Sequence, residues 1–252
     1  MPQRTVTNPR TKLRVLFDLV GSELYDALES LDGPDLVEVV REELAQPLVA
    51  LRTAADLHEL ETGRNPVATT PELALQRRLF ERGYLARDGA EAIPFREFPL
   101  FPATEGRGPR ADLVVFHRDV RLPEVIELKP GDAKDSLAGV VIQILYYWTF
   151  LRRHFGSLRQ TLRVHDPEMD VSESSHQPLA AIAAPRRFFE ECQRKSRIRM
   201  ASNPSWDDLA AAALIVGCLQ ANFDLHIRLL EIDDDWETNA RALVIERPWH
   251  FL

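Results

Sequence analysis

The chain has 252 residues, 45% of them apolar and 28% charged, with 17 Pro, 11 Gly and 2 Cys. A chain of that length buries a full core unaided, and Cys192 and Cys218 stand outside any CxxC spacing, which excludes zinc ribbons, iron–sulfur clusters and a disulfide scaffold and reads as cytoplasmic. The net charge of −8, from 31 basic and 39 acidic residues, excludes indiscriminate coating of a polyanion, so a nucleic acid has to be met by a local patch.

The N-terminus, MPQRTVTNPRTK, is basic but lacks the apolar stretch and small-residue cleavage site of a secretory signal. Residues 12–61 have helical patterning, broken at Gly33-Pro34, with Leu36, Val39, Val40 and Leu44 at helix spacing. Residues 1–65 therefore read as a helical extension ahead of a main domain, 66–252. Thr70-Pro71-Glu72 is a helix start, a capping hydroxyl followed by Pro at the first helical position, and predicts a helix to Arg82 with Leu75, Leu79 and Phe80 on its apolar face.

Three short apolar runs, 95–101, 110–117 and 124–129, are bounded by Pro or Gly and predict a β-meander. Over 135–155 the period becomes helical, with Val140, Ile144, Trp148 and Leu151 on one face. A polar loop (166–178), a strand (179–184) and a helix (186–197) follow, then a helix (206–220), a strand (223–232) and a last strand (241–245). The longest apolar run, 209–219, has 11 residues against the roughly 20 that a spanning helix needs, so no membrane partner is expected. Asp233 to Asp235, with Glu231 and Glu237, reads as a solvated acidic turn.

Strand alternation makes three charged residues conspicuous. In Arg110-Ala-Asp-Leu-Val-Val-Phe116 and Val125-Ile-Glu-Leu-Lys-Pro130, Asp112, Glu127 and Lys129 fall where strands normally bury hydrocarbon. Glu127 and Lys129 share one face, about 7 Å apart, while Ile126 and Leu128 point to the opposite layer. If the two runs pair through the intervening turn, Asp112 joins them. Two carboxylates held close in a poorly solvated place repel, and both stay ionised only with a cation between them. Oxygen donors with no Cys or nearby His favour Mg²⁺ or Mn²⁺ over Zn²⁺. The plainer alternative is a half-buried Glu127–Lys129 ion pair with Asp112 as a strand-initial turn residue.

A strand with Asp112, a strand reading Glu127-Leu-Lys129 and a helix reading Gln143-Ile-Leu-Tyr-Tyr147 together resemble the PD-(D/E)XK nuclease superfamily, with a helix motif similar to the QxxxY of its RecB-like branch. The likeness covers roughly residues 70–185. It implies an α/β fold with a restriction-endonuclease-like core, a mixed β-sheet flanked by helices, and a Mg²⁺-dependent (or Mn²⁺-dependent) nuclease acting on DNA in preference to RNA. Asp112, Glu127 and the Leu128 carbonyl would then ligate metal, Lys129 would orient or activate the hydrolytic water, and Gln143 and Tyr147 would steady that water or the nucleic-acid strand. Glu72 is the matching position for an acidic residue on the preceding helix, in competition with Glu81 and Glu97. The literal Pro-Asp pair is absent, because Ala111 precedes Asp112. His58, the one upstream His, reads as a surface residue. The family also admits a homodimer that cuts both strands, and a catalytically silent nuclease fold in a defence or repair assembly is the alternative function.

Residues 186–199, RRFFEECQRKSRIR, hold six Arg or Lys against two Glu. Arg186, Arg187, Arg194 and Lys195, with Arg152 and Arg153 at the end of the Gln143 helix, are the candidate phosphate contacts, whereas a solvated helix face is the better reading for at least half of these residues. Phe188 and Phe189 adjoin a predicted strand and are expected in the core.

Overall fold

The computed structural model describes residues 11–19, 21–48, 70–82, 92–100, 108–117, 120–165, 177–202, 207–238 and 244–249. Its helices are α1 (Lys12–Asp18), α2 (Gly21–Glu29), α3 (Gly33–Leu44), α4 (Pro71–Arg82), α5 (Leu137–Arg153), α6 (Phe155–His165), α7 (Arg186–Ser202) and α8 (Asp208–Phe223). Its strands are β1 (Ala92–Pro99), β2 (Arg110–His117), β3 (Leu122–Leu128), β4 (Leu179–Pro185), β5 (Ile227–Ile232) and β6 (Val244–Arg247). They lie side by side in chain order in one mixed sheet. The meander β1–β2–β3 is antiparallel, β3, β4 and β5 run parallel, and β6 returns antiparallel along the edge. Each parallel step needs a long crossover, supplied by α5 and α6 before β4 and by α7 and α8 before β5. The fold is therefore α/β, a mixed sheet flanked by helices.

Alternation divides the sheet into two apolar faces. Val114, Phe116, Val125, Ala180, Ile182 and Leu229 point to the face covered by α5, α8 and the N-terminal helices. Leu113, Val115, Ile126, Leu128, Ala181, Ala183 and Leu230 point to the other, where Leu75 and Leu79 of α4 and Trp236 pack. Phe188 and Phe189 are in the core, as expected.

Helix α5 is buried nearly all round, from Leu137 to Leu151. The single stripe expected from its sequence is one of two, because α1, α3 and α8 cover the side away from the sheet. Its N-terminus is fixed twice. Ser136 accepts from the Gly139 N–H at 3.1 Å, and the buried Asp208 carboxylate accepts from the Leu137 and Ala138 N–H groups at 2.9 and 3.1 Å. The N-terminal helices share this core rather than standing apart from it. Buried Glu43 of α3 takes the Thr11 hydroxyl and, at 2.8 Å, the Arg153 guanidinium.

Several element boundaries differ from the sequence reading. Gly33-Pro34 is the opening turn of α3, capped by Asp32, rather than a simple break. Helix α6, absent from the prediction, continues from α5 after a turn at His154. Phe223 closes α8 instead of starting β5, because Asp224 adopts a left-handed φ of 53° that ends the helix. Residues 49–69 of the lead-in with His58, the loop residues 166–176, and 239–243 at the start of the last predicted strand lie outside the described residues. So do the side chains of Phe80, Glu81 and Glu97.

Candidate functional site

Asp112 has the strand parity of Val114 and Phe116, and Glu127 that of Val125, so both carboxylates project from the sheet face that carries α5. The register that pairs Leu113 with Ile126 sets Asp112 opposite Glu127. The two carboxylates and Lys129 are only 9%, 3% and 6% exposed. Asp112 Oδ2 accepts from the Leu128 N–H at 2.7 Å, and Gln76 of α4 donates to the Asp112 carbonyl at 2.8 Å. Lys129 lies just beyond β3 yet continues its ladder, its N–H donating to the Ala183 carbonyl at 3.0 Å. Its Nζ stands 2.8 Å from Glu127 Oε1 and 3.7 Å from Asp135 Oδ1.

The backbone geometry also orients Leu128. The Lys129 N–H points to β4, so the Leu128 carbonyl of the same peptide points the other way, toward β2 and Asp112. The Leu128 side chain lies in the opposite apolar layer.

The electrostatics are those of crowded anions. Burial, then the neighbouring Glu127 charge, raises the Asp112 pKa well above the ordinary carboxylate range, and the Leu128 N–H offsets only part of this. Glu127 is raised by burial against the opposing pull of Lys129. Burial alone would lower the Lys129 pKa, but Glu127 and Asp135 reverse that and hold its ammonium protonated. The Tyr147 hydroxyl is pushed up by burial and then by the charges of Glu127, Asp112 and Glu72. Glu127 Oε2 and Gln143 Oε1 are buried with no hydrogen-bond partner among the described residues. Gln143 lies one turn before Tyr147 on the same side of α5.

Among the described residues, no three Asp, Glu, His or Cys side chains already converge as a ligand set. Asp112 closes on a backbone N–H and Glu127 on Lys129. The donor chemistry nonetheless fits a hard divalent cation, with two facing carboxylates, an orphaned carboxylate oxygen and a backbone carbonyl aimed between the strands.

Register and ion pairing bring Asp112, Glu127 and Lys129 together. The charges of Asp112, Glu127 and Glu72 act on the Tyr147 hydroxyl, and Gln143 lies one turn before Tyr147 on α5. The candidate phosphate contacts divide. Arg152 lies over the Trp148 and Phe223 rings, at 4.9 and 5.8 Å, and Arg153 is only 10% exposed in its bridge to Glu43. Arg152 thus packs toward α8 and Arg153 is held at α3. Arg186 and Arg194 are exposed and pair along α7 with Glu190 and Glu191, while Arg187 and Lys195 border a cleft beside the candidate site.

Sequence reasoning passed over Gln76 and Asp135. Gln76 stands four residues after Glu72, hence on the same helix side, and that spacing was an available signal. It also passed over a buried network on the opposite face, where Glu124 takes His117 at 2.7 Å and Arg228 Nε at 2.8 Å, and Arg228 reaches Glu246 at 3.0 Å. Those interactions hold Glu124 ionised despite complete burial. No helix among the described residues is long and apolar enough to cross a membrane. No family model matches the chain, and neither the curated proteins nor the solved structures contain a match to it.

Proposed function

We propose that the protein is a Mg²⁺-dependent or Mn²⁺-dependent nuclease of the PD-(D/E)XK type, with a restriction-endonuclease-like core, hydrolysing phosphodiester bonds in DNA. The observation that carries this reading is the pair Asp112 and Glu127, face to face on neighbouring strands, with Glu127 Oε2 buried and unpartnered beside them. A structural ion pair explains Glu127 and Lys129 but leaves Asp112 as a second buried carboxylate with no ion-pair partner among the described residues and only partial relief from the Leu128 N–H and Lys129.

In this reading Asp112, Glu127 and the Leu128 carbonyl hold the cation, and Glu72 is the further acid that α4 would add. A divalent ion bound there supplies positive charge to the attacked phosphate and lowers the pKa of the attacking water. Lys129 stays protonated between Glu127 and Asp135, so it orients the water and opposes the charge that builds on the phosphate rather than removing a proton. Tyr147 keeps its proton and donates from α5, and Gln143 supplies an amide one turn away.

The test is cleavage of linear, circular, single-stranded and double-stranded DNA, and of RNA, by the purified chain. Hydrolysis with Mg²⁺ or Mn²⁺ that chelator abolishes, and that Glu127→Ala and Lys129→Ala each reduce by about 10²-fold or more, is expected. Turnover that survives Glu127→Ala rejects the reading. A binding-only module is the second reading, favoured by the way Asp112 and Glu127 close on donors of their own chain. It predicts cation binding without turnover on any of these substrates.

A further inference from the structure

The loop from Gly131 to Lys134, which follows Lys129, and the exposed side of α7 border an open cleft of about 630 Å³. We infer that this cleft is a phosphate-binding subsite that seats a nucleotide or two of a single strand beside the scissile bond. The inference rests on the nuclease reading and specifies the form of its substrate.

Three cations line the cleft: Lys134, Arg187 and Lys195. Its two acids are unequal opponents. Glu191 is held in both oxygens by Arg194, at 2.6 and 2.7 Å, which leaves Asp132 as the unneutralised carboxylate. Lys134 has no carboxylate partner among the described residues, and the other two cations meet theirs only at 3.9 Å. A net positive cleft of this size falls within the range of ligand pockets, which suits a nucleotide or two.

The cleft is tied to the candidate site by construction. Its loop begins two residues after Lys129, and Asp135, directly after the loop, stands 3.7 Å from the Lys129 ammonium. Gly131 is required by a close approach, because a Cβ there would fall 1.7 Å from Arg187 Nε. The Arg187 side chain thus lies flat across the loop, its guanidinium at one end of the cleft. At the other end Lys195 Nζ reaches the Lys134 carbonyl at 3.5 Å. Arg187 and Lys195 are eight residues apart on one helix, about 12 Å along its axis, and meet the loop at separate points, Arg187 at Gly131 and Lys195 at Lys134. Arg offers a forked donor to a phosphate and Lys a point charge.

The experiment is fluorescence anisotropy of a labelled single-stranded oligodeoxynucleotide and of its duplex, titrated with the full chain in EDTA over a series of salt concentrations. Arg187→Ala with Lys195→Ala is expected to weaken single-strand binding about tenfold or more and to reduce the slope of log affinity against log salt by about 1.4, the value for two lost phosphate contacts on a single strand. Gly131→Val, which displaces the Arg187 stem, should weaken binding in the same direction, whereas exposed Arg41→Ala on α3 should not. Wild-type affinity and salt slope in the double variant overturn the subsite, as does an equal loss on the duplex. Cleavage of DNA by the wild-type chain with Mg²⁺, measured in parallel, separates the two failures. Cleavage with unchanged binding in the double variant rejects the subsite alone, and a chain that neither binds nor cleaves rejects both.

Discussion

The Asp112 carboxylate accepts the Leu128 N–H at 2.7 Å across the gap between β2 and β3, while Glu127, the residue before Leu128, turns its own carboxylate to Lys129 at 2.8 Å. Two buried acids thus face each other across the strands, one of them paired with an ammonium, with a Glu127 carboxylate oxygen left over. Such an arrangement is costly for stability and useful for holding a cation.

Asp112→Asn should separate the two consequences. The amide oxygen can still accept from Leu128, but the repulsion with Glu127 is gone. In chelator near neutral pH the variant should melt about 2–4 °C above the wild type, the shift that roughly 1 kcal/mol gives in a chain of this size, while losing cleavage. The sign of the pH dependence follows from the raised pKa. Asp112 is better accommodated protonated, so its contribution is present at low pH and is lost as pH rises through that raised value. Denaturant titrations in EDTA should therefore show the advantage of Asp112→Asn growing with pH. A variant less stable than wild type at every pH would mean that Asp112 is held as a structural anion.

His154 should give the opposite slope. It is fully buried at the turn between α5 and α6, with its ring 4.5 Å from that of Phe150 and Arg153 beside it. Burial, and then the Arg153 charge, lowers its pKa from 6.5 to about 4. The neutral ring is the one the fold accommodates, so this contribution is complete above about pH 6.5 and is lost as pH falls toward 4, at up to about 1.4 kcal/mol per pH unit for one proton. Replacing His154 with Gln should flatten the stability curve in that window. A curve as steep as that of the wild type would assign the acid sensitivity to another group.

The parts of this protein legible in its sequence are those set by a short period. Alternation alone put Glu127 and Lys129 on one face and Ile126 and Leu128 on the other, and the two apolar layers match that division. The meander followed from its Pro and Gly punctuation, and Phe188 and Phe189 from their place after a strand. Contacts between distant segments were not legible in this way. Arg152 and Arg153 look solvent-facing at the end of a helix, and nothing local says that α3 and α8 cover them. The Asp208 cap on α5 is a tertiary contact across 71 residues, and His117, Glu124 and Arg228 are each ordinary polar strand residues until the register brings them together. The end of α8 depends on one left-handed residue, Asp224, in a stretch whose alternation from Phe223 onward favours strand.

The most direct test of the account is a calorimetric titration of the substrate-free chain with Mn²⁺, paired with the Asp112→Ala, Glu127→Ala double variant checked for folding by circular dichroism. Saturable binding by the wild type that disappears in the folded double variant is expected. Equal binding by both proteins, or none by the wild type at millimolar Mn²⁺, would contradict a cation shared between these two strands.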